Sequence, residues 1–253
     1  MAALERAPPV ECMSSLKTFL SVSLICVLAL LNSTCGVPRA VSQRKGQTAA
    51  PRSIPAPQVV VKPTYASPVL ERLVAAANER TMHEVEYDSS YFKLDYPNGD
   101  VPAEKGVCTD EVIRSYRALG IDLQKEVHED MKANFSRYPT KFGLTTTDTN
   151  IDHRRVPNLR VFFERKGKSL PVTDEAADYK PGDIVTWDLN VSQTHIGIIV
   201  AAPSAAPGRY MIMHNIGAGP QIEDILFSWK ITGHYSYTGP PASKPTPTRS
   251  PSR

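Results

Sequence analysis

The hydrophobic pattern of this chain changes period once, near residue 180, and that change limits the folds open to it. Upstream, apolar residues recur three and four apart. Val69, Leu70, Leu73, Val74 and Ala77 share one side of a helix that Ser67 opens as N-cap, with Pro68 in its first turn. A second helix runs from about Cys108 to Leu119, with Val112, Ile113, Tyr116 and Leu119 inward and Gly120 as its stop. Residues 122–138 predict a third, ending near Tyr138-Pro139, and Val156 to Lys166 a fourth with Leu159, Phe162 and Phe163. Between the first two lies an irregular stretch with Pro97, Asn98, Gly99 and Pro102 as turn formers. Downstream, 183–189, 195–201, 209–216 and 231–237 are short, β-rich and separated by turn residues. Helices first and consecutive strands afterwards imply an α+β fold, with N-terminal helices packed on a C-terminal antiparallel sheet.

Charge and proline divide the 253 residues into a body and two flanks. Residues 68–238 are net −5, whereas the flanks are net +8 and hold 12 of the 22 prolines. The basic character of the whole chain therefore belongs to its ends. The acidic body argues against a nucleic-acid reader, which presents a basic folded surface. A domain of 67–238 is long enough to bury a core without disulfides. Residues 37–66 read as a Pro-rich basic tether and 239–253 as a similar tail without structure.

The first 36 residues read as a secretory signal. Lys17 precedes an apolar run from Phe19 to Leu31, and the small and polar residues 32–36 follow. Translation from Met13 would give it a conventional basic start. The run is short for a membrane span. Cys35-Gly36 suggests a lipid anchor, against which Asn32 stands where a lipoprotein signal prefers an apolar residue. The expected location is the periplasm or cell envelope, with membrane contact only through the signal or that lipid.

Of the four cysteines, Cys12, Cys26 and Cys35 fall in or beside this signal, which leaves Cys108 alone in the body. A lone thiol in an oxidising compartment is either buried or used. Cys108 begins a helix, where unpaired N–H groups and the positive end of the dipole favour thiolate and could hold an oxyanion. The apolar set at 112, 113 and 116 leaves position 108 off the inward side. A thiol nucleophile needs an imidazole and a group that orients it. His83 ends the first helix, His128 falls on an exposed face, and His234 sits in the last strand, which leaves His153, His195 and His214. If the strands bearing His195 and His214 pair through the Pro203–Gly208 turn, both rings lie near one end of the sheet. Ordinary sheet surface remains the other reading of two such histidines.

Cys108, then Pro181-Gly182-Asp183-Ile184-Val185, then His195-Ile196-Gly197-Ile198, then Met213-His214-Asn215 resemble in order and spacing the NlpC-like cell-wall peptidases, a papain-like superfamily. Residues 87–237 are similar to a bacterial exported family of unassigned function within it, through GVCTD, LQKEVHEDM, IDHRRVPNL, PGDIV, HIGII and HNIG. The resemblance implies Cys108 as nucleophile, His195 as base, and His214 or the adjacent Asn215 as third residue. Only one of that pair can serve, because neighbouring strand residues face opposite sides. It also matches Tyr96, in YPNGD, to an upstream tyrosine of the superfamily. The nucleophile motif departs from Asp-Cys-Ser-Gly, since Val107-Cys108-Thr109-Asp110 stands there.

Tyr96 and Asp110 join Asp152, His153, Arg154 and Arg155 as substrate-binding candidates. Two arginines in NIDHRR could clamp a carboxylate of a stem peptide, or form an ion-pair cluster with Glu129 and Asp130. Glu223-Asp224 read as exposed loop acids. The expected activity is hydrolysis of an amide in peptidoglycan by a monomer without cofactor. A zinc hydrolase using His153, His195 and His214 is a second reading that no HExxH or CxxC spacing supports. A non-catalytic wall-binding module, or an acyltransferase or thioesterase on the same fold, is a third.

Overall fold

A computed structural model describes residues 63–140 and 143–241. The expected signal, the expected lipid anchor at Cys35 and most of the expected tether and tail lie outside the described residues.

Four helices precede a six-stranded sheet. They are α1 (Pro68–Arg80), α2 (Cys108–Arg117), α3 (Leu123–Ala133) and α4 (Val156–Lys166). Two short parallel strands, β1 (Glu86–Tyr87) and β2 (Lys105–Gly106), lie between α1 and α2. Then follow β3 (Lys168–Ser169), β4 (Ile184–Asp188), β5 (Thr194–Pro203), β6 (Tyr210–Asn215), β7 (Pro220–Glu223) and β8 (Lys230–Ser236). The sheet order is β3-β8-β4-β5-β6-β7, every pairing antiparallel. The α+β class and its four helices and four main strands stand as read. The strands β3 and β7 were not anticipated, being short and, for β7, hidden in the sequence as a turn followed by acids.

Local chemistry accounts for the ends. Ser67 Oγ accepts the Leu70 N–H of α1, and Asp122 Oδ1 accepts those of Gln124 and Lys125 in α3. Gly120, at φ +80°, takes the left-handed conformation that ends α2. The Pro181-Gly182-Asp183 turn needs Gly182 twice: its φ is +95°, and a Cβ there would lie 2.8 Å from Leu70 Cβ. Asp183 then ties the turn down, accepting from Lys180 N at 2.8 Å and pairing with His234 at 3.0 Å. His234 is thereby structural.

The sheet is buried on both faces. On the helix side, Ile184, Ile196, Ile198, Val200 and Met213 pack against Leu70, Leu73, Val112, Ile113, Leu159 and Phe163. On the other, Val185, Trp187, Ile199 and Ile212 pack under Tyr179 and Leu226. Among the described residues no helix is long and apolar enough to cross a membrane.

Candidate functional site

The first turn of α2 is fixed from three directions. Asp110 Oδ2 reaches back to the Val107 N–H at 2.8 Å and caps the helix. Arg154 holds the same carboxylate through Nε to Oδ1 (2.8 Å) and Nη2 to Oδ2 (3.0 Å), with both side chains buried. Nη1 and Nη2 also donate to the carbonyls of Ser90 and Asp88. Thr109 Oγ1 donates to Arg154 O, and the fully buried Glu111 pairs with Arg80 at 2.7 Å. Arg154 is thus spent inside the protein. Of the two readings of NIDHRR, the ion-pair cluster describes Arg154, with Asp110 rather than Glu129 or Asp130 as partner. Asp130 instead binds Arg165, Lys166 and Tyr138.

Cys108 corrects two expectations. It is buried, in one cluster with Ile196, Ile198 and Met213, although the helical pattern had left it off the inward side. The pattern misleads because α2 is covered all round: every residue from 108 to 116 is buried. Nor does the helix start make the thiol acidic. Burial pushes it up to about 12, while the N–H groups of Ile196, Thr109 and Cys108 itself offset part of that rise. The resting sulfur is a neutral thiol.

The sulfur lies on the helix side of β5, near the point where β5 and β6 cease to pair. Ile199 N–H donates to Asp183 O, on the β4 side, so odd-numbered residues of β5 bond towards β4 and even-numbered ones towards β6. The β5–β6 ladder pairs Ile198 with Met213 and goes no further towards Thr194. In a continued ladder the Ile196 N–H would meet the carbonyl of Asn215. Instead it is turned to Cys108.

Beside this gap three side chains form a line. His195 Nε2 lies 3.0 Å from His214 Nδ1, and His214 Nε2 lies 2.8 Å from Glu223 Oε2. Both rings are buried, while Glu223 is half-exposed. The carboxylate can only accept, so His214 donates to it from Nε2 and accepts at Nδ1. His195 must then donate from Nε2, which leaves its Nδ1 as the basic nitrogen. Burial lowers the His195 imidazole to about 3, and His214 adds to the effect. Burial also lowers His214, with Glu223 pulling the other way. Trp187 and Trp229 wall His195, their rings 5.8 and 6.0 Å from it. Among the described residues, no hydrogen bond joins the sulfur directly to the imidazole.

The other candidates sit elsewhere. Asn215 is fully buried next to His214 and does not contact His195 by hydrogen bond; its Oδ1 accepts from Gly217 N. Tyr96 packs edge-on against His128 at 5.2 Å. The tyrosine near enough to Cys108 and Asp110 to feel their charge is Tyr87, whose hydroxyl burial raises to about 12, with those two groups adding to it. Its position in β1, paired to Gly106, was not readable because β1 has only two residues. His128 is largely covered rather than exposed, pairing with the buried Asp152 at 3.0 Å. His153 is buried and lowered to about 3 by desolvation. Arg155 caps α4. The structure therefore gathers Cys108, Asp110, Arg154, His195, His214 and Asn215 at one end of the sheet, and adds Tyr87 and Glu223. It sets Tyr96, Asp152 and His153 apart, around α3. Among the described residues, no group of three or more His, Cys, Asp or Glu side chains is arranged to hold a metal.

The family described as "Domain of unknown function (DUF1287)" matches residues 74–237, which include every residue of this site. The chain belongs to that family. It is 52% identical over 151 residues to "Uncharacterized protein YijF" of Escherichia coli (strain K12), covering 60% of this chain and 73% of that one. Two solved structures are similar at 13% identity and a TM-score of 0.38. NlpC1 from Trichomonas vaginalis is matched over 69% of this chain and 46% of its own. An N-acetylmuramoyl-L-alanine amidase from Bacteroides uniformis ATCC 8492 is matched over 67% and 98%. The chain thus spans less than half of the first.

Proposed function

We propose that this DUF1287 member is an exported cysteine hydrolase that cleaves an amide bond in the stem peptides of peptidoglycan. The observation that carries the reading is the Glu223–His214–His195 line, which leaves His195 with a basic Nδ1 one residue from the N–H that faces Cys108. The wall peptide as substrate rests on the sequence resemblance and on the signal.

A neutral thiol and a neutral imidazole suit attack coupled to proton transfer. Cys108 Sγ attacks the amide carbonyl and its proton passes to His195 Nδ1 around the point where the β5–β6 ladder stops, so that no thiolate is stored beforehand. His214, backed by Glu223, stabilises the imidazolium by accepting at Nδ1 from His195 Nε2. The proton then goes from Nδ1 to the amide nitrogen, the C–N bond breaks and the amine leaves a thioester on Cys108. Water, deprotonated by the same nitrogen, releases the carboxylic acid and restores the thiol.

Incubating the purified protein with peptidoglycan and identifying products by mass spectrometry tests this. New amine and carboxylate termini in a stem peptide are expected, and Cys108→Ala abolishes them. Undiminished products with that variant rule the mechanism out. The buried, neutral thiol favours a second reading, a wall-binding module without turnover. That reading requires retention on peptidoglycan with no products. Transfer of the acyl group to an added amine instead of water would mark an acyltransferase.

A further inference from the structure

Asn215 ends β6 with no exposed surface, and its amide is half used. Oδ1 accepts the Gly217 N–H at 3.1 Å, whereas Nδ2 is buried without a partner. The Gly217 bond settles which end of the amide is which, because a backbone N–H meets only an oxygen acceptor.

Strand geometry sets the face that Asn215 takes. Met213 packs with Cys108, Ile196 and Ile198, and Asn215, two residues on, shares its face. Carrying the Ile198–Met213 register one bonded pair further sets Asn215 across the gap from Ile196. His214 takes the opposite face with His195. Adjacent residues thus divide the labour: His214 serves the base, and Asn215 faces the side from which the nucleophile enters. A buried amide donor without an acceptor suits a group that the resting protein does not contain.

We propose that this group is the carbonyl oxygen of the scissile amide, and that Asn215 Nδ2 donates to it as it gains charge during attack. The proposal rests on the cysteine-hydrolase reading. A donor at that oxygen is strongest in the tetrahedral adduct, so its loss lowers kcat rather than raising KM.

The test compares wild type, Asn215→Asp, Asn215→Leu and Cys108→Ala on muropeptides released from purified peptidoglycan. Asn215→Asp keeps the acceptor for Gly217 N and the shape and, once ionised, has no donor, so it is assayed up to about pH 9, where a buried carboxyl gives up its proton. Both Asn215 variants are expected to lose kcat about 100-fold, with KM within about threefold. A carboxylate or an apolar side chain at this buried site lowers Tm, so kcat is read at a temperature where circular dichroism shows every variant fully folded. A peptide aldehyde, which forms an adduct with a similar oxyanion, weakens in proportion. Wild-type kcat in Asn215→Asp overturns the proposal, because the Gly217 bond is then all that matters. So does a loss that vanishes when the variants are assayed fully folded. If Cys108→Ala is inactive and Asn215→Asp is not, only this proposal falls. If wild type itself turns nothing over, the hydrolase reading falls and takes this one with it.

Discussion

Cys108 and His195 are both held neutral by burial, and three measurements at single residues follow. Iodoacetamide should alkylate the native thiol slowly at neutral pH, with a rate that climbs about tenfold per pH unit beyond pH 9, since the thiol is pushed up to about 12. A rate that levels off below pH 8 would contradict the neutral ground state. The acid limb of kcat/KM should fall well below the ordinary imidazole value of 6.5, because His195 is lowered to about 3 and stays basic in weak acid. A limb centred between pH 6 and 7 would show an imidazole that titrates normally. Arg154→Met leaves Asp110 buried with only the Val107 N–H as partner. Denaturant titration should show a loss of about 3–5 kcal/mol, and adding Asp110→Asn should recover part of it. A substrate-clamping Arg154 would instead raise KM and leave stability alone.

At the scale of elements, α2, β5 and β6 place the chemistry, and glycines mark their limits. A Cβ at Gly197 would lie 2.5 Å from Ile212 Cγ2 and 2.9 Å from Met213 O. Gly197→Ala should therefore push β5 from β6, cost about 1–3 kcal/mol in thermal unfolding, and slow turnover by moving His214. Gly120→Ala meets nothing within 4 Å and costs only its φ of +80°, about 1 kcal/mol, with turnover intact. The long elements were legible because their signals are local: Ser67-Pro68 for α1, Gly120 for the end of α2, and runs such as Ile196 to Val200 for β5. What was not legible depends on partners far away in sequence. Glu223 looked like loop acid until β7 paired with β6 and brought it to His214. Tyr87 and Tyr96 are indistinguishable by sequence, and only the β1–β2 pairing brings Tyr87 towards the thiol. The acidity of Cys108 was misjudged because a helix start is visible in sequence, whereas complete burial of α2 is not.

For the whole molecule, the buried imidazoles link stability to pH. His153 and His195 are each lowered to about 3 in the fold from 6.5, so the unfolded chain binds the protons first as pH falls. Their neutral forms cost nothing above 6.5, and stability declines from there down to about pH 3. Within that window each contributes a slope of about 1.4 kcal/mol per pH unit. Asp130, lowered to about 2 by Arg165, Tyr138 and Lys166, adds to the loss below the usual carboxylate range. Denaturation midpoints measured between pH 7.5 and 4 should fall steadily, and less steeply in His153→Gln. A flat profile would mean that these rings are solvated. The gap where β5 leaves β6 has a different consequence, in time rather than energy. The amides of Ile198 and Ile199 lie within a paired sheet, but that of Ile196 faces only a sulfur. In hydrogen–deuterium exchange it should behave as an early-opening site inside a slow region. Its protection should change when Cys108 is alkylated, so that a single amide reports the state of the thiol.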